Sequence, residues 1–171
     1  MAVRLHLVRH GLSLPVRGVP ASDWSLDPAG YDDVWALRDR LPHDVAWYSS
    51  PEPKAVETSQ LLTDAQVGIV DGLREHQRDG AWIDDFDGAV RRAFARPDER
   101  AEPGWEPLAE CRERVVGAVR PILAAHEHED VVLVGHGTAW TVLVAALTDT
   151  PADLDRWAAL SMPDVICVDR P

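Results

Sequence analysis

Two apolar runs in this chain end in the same way: Val8-Arg9-His10-Gly11 near the start and Val134-Gly135-His136-Gly137 near the end. Each run reads as a buried strand, the first with alternating Val3, Leu5 and Leu7 before Val8, the second continuous over Val131–Val134. Each then breaks at a His-Gly step, where glycine is expected to let the chain turn sharply. A chain with such strands must cover both faces of a sheet with helices. In an open α/β sheet, polar side chains at the carboxyl ends of the strands face the crevice where ligands bind. His10 and His136, with Arg9 beside the first, therefore point to a paired-imidazole site for an anion.

The rest of the chain agrees with that architecture. Residues 3–8 read as a strand and 11–27 as a loop. Asp27-Pro28 reads as a helix start, Asp as N-cap and Pro in the first turn, with the helix running to about Arg40. Strands are expected at 45–48, 67–70, 131–134 and 165–168. Helices are expected at about 52–64, 108–125 and 138–147, with a shorter one within 151–160. Pro121 should kink or divide the helix at 108–125. Residues 76–105, broken by Gly80, Gly88, Pro97, Pro103 and Gly104, read as a small lid-like insertion folded over the sheet edge and the active site, helical only near 82–95. Strands alternating with helices predict a three-layer αβα fold with a mostly parallel central sheet, one domain over 1–171.

Composition narrows the function. At 171 residues and 46% hydrophobic content, one domain with a full core is expected. A formal charge of −12 argues against nucleic acid and anionic membranes as partners, because both demand a basic surface. The longest apolar run, Trp140–Leu147, is far short of the roughly 20 residues of a membrane span. The N-terminus has no basic segment leading into an apolar one, and Cys111 and Cys167 read as reduced, partly buried thiols. Together these predict a cytoplasmic protein. The same charge makes local cations informative, since a bound phosphate has to overcome the overall field.

The chain offers each part of a phosphoryl-transfer site. A neutral imidazole can attack phosphorus, fixed cations can stabilise the equatorial oxygens, and an acid can protonate the leaving oxygen. His10 and His136 supply imidazoles, and Arg9 and Lys54 supply cations. Glu75 follows the third strand, and the helix beginning near Thr138 would aim its N–H groups at the same place.

The motifs resemble the histidine phosphatase superfamily, also called phosphoglycerate-mutase-like, over nearly the whole chain. Leu7-Val8-Arg9-His10-Gly11 is similar to its signature. Trp24-Ser25-Leu26-Asp27-Pro28-Ala29-Gly30 resembles its Pro-Leu-Thr-x-x-Gly stretch. Ser49-Ser50-Pro51-Glu52-Pro53-Lys54-Ala55-Val56-Glu57-Thr58 resembles Ser-Ser-Pro-x-x-Arg-Ala-x-x-Thr. Leu73-Arg74-Glu75, Gly104-Trp105-Glu106 and Val134-Gly135-His136-Gly137-Thr138 resemble the Leu-x-Glu, Gly-Glu-Ser and second-histidine motifs. The resemblance implies phosphomonoester hydrolysis without metal or cofactor, on a small phosphorylated substrate. His10 would become phosphohistidine, Glu75 would donate the proton, and Arg9, His136 and Lys54 would hold the phosphoryl group. Arg17 and Thr138 are further phosphate-binding candidates.

The departures matter too. Lys54 stands where the family has arginine, keeping the charge without the planar fork. Leu12-Ser13 and Val16 replace the usual Glu or Thr and asparagine after the first histidine. The segment after Glu75 is shorter than that of a phosphoglycerate mutase. A weakly active phosphate-binding or regulatory protein, or a mutase-type phosphotransferase, are the rival readings. Lys54 in the first turn of a helix opposes the dipole, a cost that a bound anion offsets. Asp79, Asp84, Asp85 and Asp87 read as a solvated acidic face, and His126 and His128 as helix-end residues rather than metal ligands. Trp140 reads as core packing, while Trp82 and Trp105 are candidates to line the pocket.

Overall fold

The computed structural model describes residues 3–170. Strand β1 (Arg4–Arg9) turns Leu5 and Leu7 to one side and Val8 to the other, all fully buried. Strand β4 (Val131–Gly135) repeats the pattern, with Val131 and Leu133 opposed to Val132 and Val134. The two strands pair in parallel with Arg9 opposite Gly135. They therefore end together, and His10 and His136 leave the sheet side by side. Strand β2 (Ala46–Ser49) lies parallel to β4, and β3 (Val67–Ile69) parallel to β2. Strand β5 (Asp164–Asp169) runs antiparallel beside β1 and completes the order β3-β2-β4-β1-β5. The sheet is mostly parallel, as the alternation of elements implies.

Helices cover both faces. On one side α1 (Tyr31–Leu37) and α2 (Pro53–Leu62) set Val34, Leu37, Ala55 and Leu62 against Val8, Trp47, Val132 and Val134. On the other, α4 (Leu108–Ala125) and α5 (Gly137–Thr148) bring Val115, Val119, Trp140 and Leu143 against Leu5, Leu7, Val131 and Leu133. Two smaller helices, α3 (Phe86–Ala95) and α6 (Leu154–Ala159), begin at the N-caps Asp85 and Asp153, whose carboxylates accept from Gly88 N and Arg156 N. No helix among the described residues is long and apolar enough to cross a membrane.

Residues 76–105 have a small core of their own, Ala89, Val90 and Trp105. Its two ends are stitched together: Asp79 N donates to Gly104 O, and Glu106 N to Gln77 O. Gly104 makes this possible. It adopts φ +85°, and a Cβ there would lie 1.7 Å from Asp79 O.

Four sequence expectations need correction. Residues 28–40 are helical in three pieces, α1 being flanked by 3-10 turns at Pro28–Gly30 and Arg38–Arg40. Of the two effects expected of Pro121, division does not occur: α4 runs through it, and it and Gly117, whose carbonyl it deprives of a donor, are both on the exposed face, where water can take that bond. Gly11 and Gly137 do not turn with positive φ. They serve close approach instead: a Cβ on Gly11 would meet Val34 Cγ2 at 2.4 Å, and one on Gly137 would meet Arg9 Nε at 3.3 Å. Of the two free thiols, Cys111 is buried but Cys167 is exposed on the edge strand.

Candidate active site

The two imidazoles converge beyond the ends of β1 and β4, ring centroids 5.4 Å apart and nearly edge to face. His10 Nδ1–H donates to the Gly11 carbonyl at 2.7 Å, which fixes the tautomer and leaves the Nε2 lone pair uncommitted. Burial, then His136, lowers the His10 pKa to about 3, so the ring is neutral at physiological pH. The turn that carries it is anchored by Thr58, whose hydroxyl accepts from Gly11 N at 3.0 Å. His136 is fully buried and shares a 2.8 Å hydrogen bond between Nε2 and Ser50 Oγ. Burial lowers its pKa to about 3 as well. A neutral imidazole with a free lone pair is a competent nucleophile.

Glu75 lies in the same cluster, but not as an acid in waiting. Its two oxygens accept from Thr138 N at 3.1 Å and Ala139 N at 2.8 Å, so a carboxylate closes the N-terminus of α5. Burial raises its pKa, but Arg78, His136 and the N–H groups of His76 and Thr138 outweigh it and hold the group at about 2. Arg78 reaches in from the insertion. It donates to Thr138 Oγ1 at 2.7 Å, and its guanidinium stacks on Phe86 and Trp105 at 4.8 and 5.0 Å. Arg114 secures this loop from α4, donating to the carbonyls of Gly72, Arg74 and Glu75 and to Glu106 Oε1. Arg9 Nη1 donates to Leu160 O at 2.6 Å. Three buried nitrogens of the cluster, Arg9 Nε, Arg78 Nε and His136 Nδ1, have no hydrogen-bond partner among the described residues. The two guanidinium N–H groups, unsatisfied and gathered beside neutral imidazoles, suit an anion.

Lys54 is buried in the same place, where the chain already gives it partners. Its Nζ donates to Glu52 Oε2 at 2.7 Å and to the Ala21 carbonyl. Glu52, only 3% exposed, also accepts from Glu75 N at 2.9 Å and lies 3.6 Å from His136 Nε2. The anion that makes a lysine tolerable at the start of α2 is thus supplied by the chain itself. Thr138 is likewise committed, its hydroxyl receiving Arg78 and, at 3.2 Å, Trp157 Nε1.

The model of the histidine phosphatase superfamily (branch 1) matches residues 5–169. The chain belongs to that superfamily. Bacillus stearothermophilus YhfR superposes with a TM-score of 0.76 at 26% identity, covering 99% of this chain and 92% of its own. The mycobacterial glucosyl-3-phosphoglycerate phosphatase Rv2419c in complex with VO3 gives 0.71 at 26% identity over 94% and 88%. Phosphoserine phosphatase from Entamoeba histolytica, in complex with phosphoserine, shares the fold with a TM-score of 0.75 at 16% identity over 96% and 89%. No curated protein matches the chain.

Within this histidine phosphatase fold, the sequence-predicted residues fall into two groups. His10, His136, Arg9, Glu75, Lys54 and Thr138 come together. Arg17 does not join them: it lies on the exposed loop and stacks 5.1 Å above Trp82, itself 52% exposed and tilted against Trp24. Trp105 backs the site through Arg78, whereas Trp140 is core, its Nε1 donating to Val8 O. His126 is spent on Tyr48 and Glu129. Two site residues escape the sequence reading, Arg78 and Glu52. A lone arginine three residues past the Leu-x-Glu motif, in Glu75-His76-Gln77-Arg78-Asp79, was the available signal for the first. An acid two residues before an atypical lysine was the signal for the second.

Proposed function

We propose that the protein is a phosphatase that hydrolyses small phosphomonoesters through a phosphohistidine at His10. The observation that carries this reading is the His10 ring: neutral, held as the Nδ1–H tautomer, and open at Nε2 beside His136 and a group of buried cations. Nε2 attacks phosphorus, the bond from phosphorus to the ester oxygen breaks, and the alcohol leaves with a proton from Glu75. Water then attacks the phosphohistidine, Glu75 takes its proton, and phosphate is released with Nε2 free again.

Glu75 is ionised before substrate binds, so it must acquire the proton it gives. A phosphomonoester that enters as its monoanion carries that proton, and the dianion it becomes raises the proton affinity of Glu75 beside it, so the proton passes from the phosphoryl oxygen to Glu75. Arg9 and Arg78 oppose charge on the transferring oxygens, and His136 meets them as a neutral imidazole. The scheme uses no metal, and turnover is expected to survive a chelator. The phosphatases of related fold, including the mycobacterial enzyme at 26% identity, support a small phosphorylated metabolite as the substrate class.

Intact-mass measurement after a neutral quench tests the route. With a panel of small phosphomonoesters, wild type should gain one phosphoryl group and His10→Ala none. An adduct that persists in His10→Ala would remove His10 as the nucleophile. The engagement of Lys54 by Glu52 leaves one rival, a protein that takes up phosphate without stabilising its transfer. That reading gains if phosphate raises the melting temperature while wild type releases no phosphate from any ester.

A further inference from the structure

Glu52 is a buried carboxylate that the phosphoryl-transfer scheme leaves without a task. It stands at the N-cap of α2, yet makes no capping bond to that helix. Instead Oε2 takes Lys54 Nζ at 2.7 Å, and Oε1 takes Glu75 N at 2.9 Å and lies 3.6 Å from His136 Nε2. One carboxylate thus touches α2, the loop after β3 and the residue before α5. Both members of the Glu52–Lys54 pair are almost wholly buried, at 4% and 6% side-chain exposure. A buried carboxylate of this kind is tolerated only when it is paired and hydrogen-bonded. Each of its oxygens is.

Two of the three N–H donors of the Lys54 ammonium are committed, to Glu52 and to the Ala21 carbonyl. An arginine at the same place could bond a carboxylate through one edge of its fork and a phosphoryl group through another. An ammonium is a single point charge shared between them. The negative charge of Glu52 also stands against any dianion bound beside His136.

We propose that Glu52 is a positioning residue that pins Lys54 and offsets its charge, so that the site holds phosphate loosely and releases the product readily. This rests on the reading of the site as one that takes a phosphoryl group. Binding that is equally strong in substrate, transition state and product does not accelerate the chemical step. A carboxylate that weakens it therefore favours turnover at high substrate concentration.

Calorimetric titration with inorganic phosphate tests the proposal on wild type, Glu52→Gln and the Glu52→Gln/Lys54→Met double variant. Glutamine keeps the shape and an acceptor oxygen but removes the charge. Glu52→Gln should bind phosphate about tenfold more tightly, and the inhibition constant of phosphate against ester hydrolysis should fall in step. The double variant should lose that gain. A purely structural role cannot produce tighter binding, and Glu52→Asp, which keeps the charge, should stay within about threefold of wild type. Should Glu52→Gln fail to fold, Lys54→Arg provides the second test. It keeps Glu52 and should tighten phosphate binding, because the fork can serve both partners.

Unchanged or weaker phosphate binding in a folded Glu52→Gln, or in Lys54→Arg, overturns the proposal. So does a gain that persists in the double variant, because the effect then does not pass through Lys54. If wild type hydrolyses esters while one of these results holds, only the role of Glu52 falls. If no variant binds phosphate and wild type hydrolyses no ester, the reading of the site falls, and the role of Glu52 with it.

Discussion

At the scale of single residues, the site is organised by two carboxylates already seated where a phosphate would be expected. Glu75 fills the N-terminus of α5 and Glu52 faces Lys54, so neither helix start is vacant. The cation that the sequence reading lacked is Arg78. Thr138, Phe86 and Trp105 fix its guanidinium, so it reaches the site with little freedom left to lose on binding. Removing one preorganised charge donor typically costs about 100- to 1,000-fold in turnover. Arg78→Met is expected to lower kcat/KM for a phosphomonoester by that order, with partial recovery in Arg78→Lys, which restores charge without the stacked plane. Steady-state kinetics would show it. A variant within threefold of wild type would mean that Arg78 only packs the insertion.

At the scale of elements, the insertion at 76–105 matters because it delivers Arg78, and a single glycine closes its base. Gly104 combines a left-handed backbone with a contact no side chain can make, since its Cβ would collide with Asp79 O. Gly104→Ala therefore either opens the base of the insertion or strains it, at a cost of about 1–3 kcal/mol. Thermal melts should show a lower midpoint, and activity should fall with the displacement of Arg78. The idea fails if the variant melts and turns over like wild type. Arg114 plays a matching part from α4, tying the loop around Glu75 to a helix of the main core.

At the scale of the whole molecule, the buried imidazoles link the site to acid stability. His10 and His136 both titrate near 3 in the folded protein against 6.5 ordinarily. The unfolded chain takes up these protons below about 6.5, so unfolding gains from every step of acidification down to about 3. Glu75, lowered to about 2 from 4.5, adds a loss of the same sign at lower pH, as the folded state gives up a stabilised carboxylate. Stability is thus expected to be fully present above about pH 6.5 and to fall by a few kcal/mol on the way to pH 4. Denaturant midpoints between pH 8 and 4 would measure it, and His10→Asn should flatten the slope. A stability that stays level over that range would contradict neutral burial of the pair.

The sequence by itself determined the frame: which runs are buried strands, that helices cover both faces, and that two histidines stand at strand ends. These follow from hydrophobic period and strand-end position, which are local properties of the chain. It also carried the superfamily, because motifs such as Leu7–Gly11 and Val134–Thr138 are contiguous. Only the tertiary structure decided which charges meet. Glu52 finds the backbone of Glu75 23 residues away, Glu75 finds Thr138 63 away, and Arg78 finds the same threonine 60 away. Such pairings depend on where loops close over the sheet, and no periodicity records that. For the same reason Lys54 was legible as a cation of the site, but its pairing with Glu52 was not. A side chain's charge is legible in the sequence, but the partner that spends it is chosen by the fold.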